Sequence, residues 1–100
     1  MKLTDLNPRW VSIHNFDPSS TYNIGVSFDS PTTGKRLAVL FEPAIDPAGL
    51  AAKYGWPPFF PESKKWQRTG DTFETLTLAP SLDFSANGDW HGFITNGLVA

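Results

Sequence analysis

Residues 70–97 read GDTFETLTLAPSLDFSANGDWHGFITNG, and this stretch decides the fold class. It holds two β-patterned runs. In Thr72–Leu78, Leu76 and Leu78 share one parity, while Phe73, Thr75 and Thr77 share the other. In Trp90–Thr95, Trp90, Gly92 and Ile94 share a face. Alternation with a period of two places successive side chains on opposite sides of a half-buried strand. Ala79-Pro80-Ser81 is expected to stop the first run, and residues 83–89 to form a polar loop. Asn96-Gly97 is a type I′ turn signal, because both central residues of that turn need positive φ.

The pattern recurs upstream. Tyr22–Asp29 alternates most cleanly, with Tyr22, Ile24, Val26 and Phe28 on one face. Ser30-Pro31-Thr32-Thr33-Gly34 returns the chain into Lys35–Glu42, which is apolar on both faces and is expected to lie centrally, antiparallel to the strand before it. Residues 3–8 read as an ordered N-terminal turn, and residues 15–20 as a loop. Between them Arg9–His14 alternates, with Val11 and Ile13 expected inward. Asp46 as cap and Pro47 as first residue predict one short helix over 47–54, ended by Gly55. Trp56-Pro57-Pro58-Phe59-Phe60-Pro61 cannot be a central strand, since its prolines lack donors, and reads as an aromatic flap over one end of the core, or else as a lid or partner surface. Lys64–Arg68 (KKWQR) reads as an edge strand guarded by lysines.

The sum is a mainly β chain, a single domain over 1–100: a small antiparallel β-sandwich or partly open barrel of five to seven short strands, with at most one short helix. Its expected core is Val11, Ile13, Ile24, Val26, Phe28, Leu37, Val39, Phe41, Leu76, Leu78 and Ile94. A chain of 100 residues buries only about two-thirds of its unfolded surface, so eight Phe, four Trp and two Tyr are useful ballast for a small core.

Charge and composition narrow the function classes. A net charge of −2 with scattered acids argues against a nucleic-acid binder, whose affinity comes mostly from neutralised phosphates. The KKWQR run places cations around an aromatic, as single-strand binders do, but a solvated edge explains the same letters. With no cysteine there are no disulfides or thiolate metal sites. No apolar run reaches membrane-spanning length, and the start of the chain does not read as a signal peptide, so a cytoplasmic protein is expected.

The side chains able to do chemistry crowd into the last third. His91 is a candidate metal ligand or general base, with Asp83, Asp89, Glu74 or His14 as partners, although an ordinary strand histidine fits as well. Ser81 is a candidate nucleophile but lacks the Gly-x-Ser-x-Gly setting, and reads more simply as a turn serine. Glu74 reads as a solvated cross-strand charge. Together Ser81, Asp83, Asp89 and His91 are expected to form a polar binding shelf, with Ser81 near Asp89 and the Trp90 ring buried beneath.

Three segments carry a resemblance: LTDLNPRWV, GVSFDSP…KRLAVLFEP and GDTFETLTLAPSLD…WHGFITNG. Over roughly residues 3–42 and 66–98 the chain resembles a family of small phage- and prophage-encoded proteins catalogued as a domain of unknown function. Wider relatives sit in bacterial operons with ubiquitin-like conjugation genes, and for them the resemblance implies a metal-dependent peptidase with cysteine and histidine ligands. Members carry Cys-Pro-x-Cys where this chain has Ser30-Pro31-Thr32-Thr33, and a histidine or cysteine where it has Gly88 or Asp89; His91 is the position that fits. With the thiols gone, the resemblance implies a non-catalytic interaction protein that binds a host protein and needs no cofactor. The alternative is a zinc-dependent hydrolase centred on His91, with Asp89 and Glu74 beside it.

Overall fold

The computed structural model describes residues 1–13 and 21–100. Seven strands form one sheet whose spatial order is the order of the chain: β1 (Arg9–Ser12), β2 (Asn23–Asp29), β3 (Arg36–Ile45), β4 (Lys65–Thr69), β5 (Thr77–Asp83), β6 (His91–Thr95) and β7 (Leu98–Val99). The sheet curls into a half-barrel, the partly open barrel of the two architectures expected. Every neighbouring pair is antiparallel except β3 and β4, which run parallel. A parallel step needs a crossover, and the one short helix, α1 (Leu50–Tyr54), lies within it together with the Pro-rich aromatic segment.

The curl follows from one-sided alternation. Val26 and Phe28 on β2, Val39 and Phe41 on β3, Leu78 and Leu82 on β5 and Ile94 on β6 are all buried in one cluster on the concave side. Burying each such side chain contributes on the order of 1.5–3 kcal/mol. An N-terminal 3₁₀ turn, Leu3–Leu6, adds Leu3 and Leu6 to this cluster, and Val99 closes it from β7. Backbone bonds seat that turn against the far end of the chain: Leu3 N–H donates to the Gly97 carbonyl at 2.8 Å and Val99 N–H to the Met1 carbonyl at 2.7 Å. The Asn96-Gly97 turn forms as expected, with φ of 48° and 71°, between Thr95 and its partner Leu98.

Several sequence expectations are corrected. On β1 it is Trp10 that packs on the core, stacked on Phe73 at 4.3 Å and edge-on to Phe41 at 6.2 Å. Val11 and Ile13 are only half-buried and lie outside the buried cluster, because the large ring claims the inward parity. Leu37 is partly buried against the cluster's margin. Residues 72–75 form a turn, so β5 starts at Thr77; the Thr75 hydroxyl bonds that of Thr72 at 2.8 Å, and threonine side chains that bond locally compete with a ladder. β5 then runs past Pro80, and β3 past Pro43. Each proline sits where the register slips, between Leu78 and Leu82 and opposite the Asn23–Gly25 step, and a missing N–H costs nothing in a bulge. The helix starts later than expected: Gly49, with φ of 67°, keeps residues 47–49 in a turn, while the Asp46 carboxylate accepts from Leu50 N–H at 2.8 Å and Ala51 N–H at 3.1 Å. Gly55, with φ of 64°, ends it as expected.

The largest correction concerns β4, which is no edge but the fourth of seven strands. Trp66 faces Phe41 in register, packs against the core and donates its indole N–H to the Ser81 carbonyl at 3.1 Å. Lys65 forms an ion pair with Glu42 of β3 at 3.4 Å, and Lys64 lies over the Trp66 ring. Arg68 reaches across the bulge of β3, donating from Nε to the Pro43 carbonyl at 2.8 Å, from Nη2 to the Ala44 carbonyl at 3.4 Å, and from Nη1 to the Gly70 carbonyl. Its guanidinium lies 5.5 Å over the Phe41 ring. Arg68→Met should therefore lower unfolding stability by about 2–3 kcal/mol in urea titration, since bulge carbonyls lose a charged donor. Arg68→Lys should recover less than half of that loss, because one ammonium cannot span the three acceptors.

Candidate functional site

β5 and β6 bring together three members of the expected shelf, Ser81, Asp83 and His91, on their convex side. Asp83 lies opposite His91 in register, and the bulge at residues 79–81 turns the Ser81 hydroxyl toward the imidazole, with Oγ 3.2 Å from Nε2. His91 is exposed, whereas Trp90 next to it is only 7% exposed and meets Phe28 edge-on at 6.0 Å. That alternation matches the sequence reading. Two residues further along the exposed face of β6 stands Phe93, 56% exposed, and diagonal to it Leu98 of β7, 54% exposed. The sequence reading missed this apolar pair; the His-x-Phe spacing within a strand is the signal that places both on one face.

Asp89 does something different from what was expected of it. Its carboxylate faces the β2–β3 loop, where it accepts from the hydroxyls of Ser30 at 2.6 Å, Thr32 at 3.2 Å and Thr33 at 2.8 Å, and from the Trp90 N–H at 2.7 Å. These donors pull the carboxyl down to about 2, the Ser30 hydroxyl most, against a desolvation effect in the other direction. Among the described residues, no hydrogen bond joins Asp89 to Ser81 or His91. Asp83 is likewise committed locally: the side-chain and backbone donors of Ser85 hold its carboxyl below the usual range, at 2.5 and 2.9 Å.

Glu74 is not brought to His91. It lies in the turn before β5, beside Gly97, at the opposite end of β6, and four strand steps span roughly 13 Å. His14 lies outside the described residues. Among the described residues, no group of three or more His, Asp or Glu side chains gathers that could hold a metal ion. Asp89 faces the other loop, and Asp83, opposite His91, accepts from Ser85 through one of its two oxygens.

A second concavity lies on the crossover. A groove of about 710 Å³ separates β3 and β4 from the aromatic segment, with Ile24, Leu40 and Phe41 below and Tyr22, Trp56 and Phe59 beside them. The three rings meet edge-to-face at 5.1–5.7 Å. Burial, with Asp46 adding to it, pushes the Tyr22 hydroxyl up. The flap thus forms the wall of a groove, and none of its rings joins the main core.

A small half-barrel with a polar and apolar convex face at one end and an aromatic groove at the crossover is the class of protein these features define. The chain matches no protein-family model, no curated protein and no solved structure. No helix among the described residues is long and apolar enough to cross a membrane.

Two outcomes follow for this end of the molecule. Because the Asp89 carboxyl is lower folded than unfolded, its contribution to stability is complete above about pH 4 and falls away as pH drops through about 2. Asp89→Asn should remove that acid limb from a stability-against-pH curve, and an unchanged limb would show that the bonds to Ser30 and Thr33 do not hold in solution. Trp90→Ala should cost about 3–5 kcal/mol, as truncations of large core side chains do, whereas His91→Ala should stay within about 0.5 kcal/mol of the parent in the same urea titration.

Proposed function

We propose that this chain is a non-catalytic interaction protein whose convex β5–β7 face, around His91, Phe93 and Leu98, contacts a partner protein. One observation carries this reading: the carboxylates nearest His91 are bonded to neighbouring loops, while His91 itself stands exposed beside two half-exposed apolar side chains. A general base or ligand set needs an orienting partner, and among the described residues the imidazole's hydrogen bond is to the Ser81 hydroxyl, with Asp83 interacting through charge alone. A polar rim around exposed aromatic and aliphatic groups suits protein contact. The resemblance to phage- and prophage-encoded proteins makes a bacterial host protein, met in the cytoplasm, the proposed partner.

The competing reading is a metal-dependent hydrolase built on His91. The two separate on metal content and on where the partner binds. Protein purified without a histidine tag should hold far less than one zinc per chain and unfold cooperatively. A photo-crosslinking residue at position 93 should capture one host protein, and one at position 67 should not; His91→Ala should weaken the capture. Stoichiometric zinc that disappears in His91→Ala, together with peptide hydrolysis, would replace the interaction reading with the enzyme.

A further inference from the structure

The groove at the crossover shares no lining residue with the β5–β7 face. Its lining includes two cations, Lys65 and Arg68, and one acid, Glu42. Lys65 is answered by Glu42, whose side chain is 64% exposed at the mouth. Arg68 forms no ion pair among the described residues; three of its N–H groups go to backbone carbonyls, and a guanidinium has five. Burial lowers its hold on its proton, opposed by the more distant Asp71. Asp46, whose charge acts on Tyr22, is committed to capping α1. Among the described residues, this half-buried guanidinium beside an aromatic wall keeps unused donors and has no carboxylate within ion-pair distance, Asp71 acting on it only at longer range.

We propose that this groove binds a small aromatic carboxylate, its ring against Tyr22, Trp56 and Phe59 and its carboxylate on Arg68. The volume of about 710 Å³ lies within the range of small-molecule sites, which combine apolar walls with a few placed polar groups. Edge-to-face rings offer a further ring the same geometry they use among themselves. Guanidinium and carboxylate match as paired donors and acceptors, and the pair strengthens where water is partly excluded. A neutral ligand of the same shape leaves the charge of Arg68 unanswered. A polyanion is disfavoured, because Glu42 stands at the mouth and the chain carries a net charge of −2.

The test uses the intact chain and two probes of one shape, 1-naphthaleneacetate and its uncharged amide. In a heteronuclear NMR titration the carboxylate should bind one per chain, about tenfold or more tightly than the amide, with that advantage shrinking at high salt. Amide signals should move around Trp56, Gln67 and Arg68. Trp56→Ala should abolish binding. His91→Ala should bind as the parent does, so the result does not depend on the interaction face. Equal affinity for the two probes, shifts centred on Phe93 and Leu98, or unaltered binding by Trp56→Ala would each overturn the proposal.

Discussion

The fold depends on one guanidinium at the seam of its sheet. β1–β3 and β4–β7 are each an antiparallel meander, and the strand ladder that joins them is the short parallel pairing of β3 with β4, three residues on each side. Next to that pairing β3 bulges, leaving the carbonyls of Pro43 and Ala44 without strand partners on the β2 side. Arg68 answers both from β4 and bonds to Gly70 as well, while its planar face lies on Phe41. Orphaned acceptors in a half-buried place are costly, and a charged donor that reaches several of them offsets that cost.

The same economy of donors shapes the surface around His91. The β5–β6 connection holds to the β2–β3 loop through a carboxylate ringed by three hydroxyls and an amide. Among the described residues no cation takes part, and hydrogen bonds hold the Asp89 carboxyl down. Ser30, Thr32 and Thr33 are thus a set of hydroxyl donors from one loop to an acid on another. Gly25 serves the neighbouring β2–β3 pairing, where a Cβ would run into the Val39 carbonyl.

Much of this was legible in the sequence, for reasons that can be named. Two-residue alternation marks β2 and β6, a run apolar on both faces marks β3, and eight of the eleven expected core residues are buried, Ile24, Val26, Phe28, Val39, Phe41, Leu76, Leu78 and Ile94. The Asn-Gly turn, the Gly55 stop and the outward His91 were equally visible. Proline is the misleading letter: Pro43 and Pro80 read as strand ends, but a bulge removes the need for the donor they lack. Lysine misleads too, because Lys65 reads as an edge guard until its partner Glu42 is known. The parallel seam leaves no local mark in sequence, and with it went the true place of Asp89, whose bonding partners lie 56–59 residues away.

Because strand order in space repeats strand order in the chain, most pairings join neighbours in sequence. Each meander can therefore assemble from local hairpins at small loop-closure cost, and the slower event is docking one meander on the other through the crossover of residues 46–64. The pairing of Met1 with Val99 closes the longest loop of all and rewards closure only when β7 is already in place. On loop-closure cost alone, the favoured order is hairpins first, seam second, and the N-terminal turn last, with Leu3 and Leu6 completing the core.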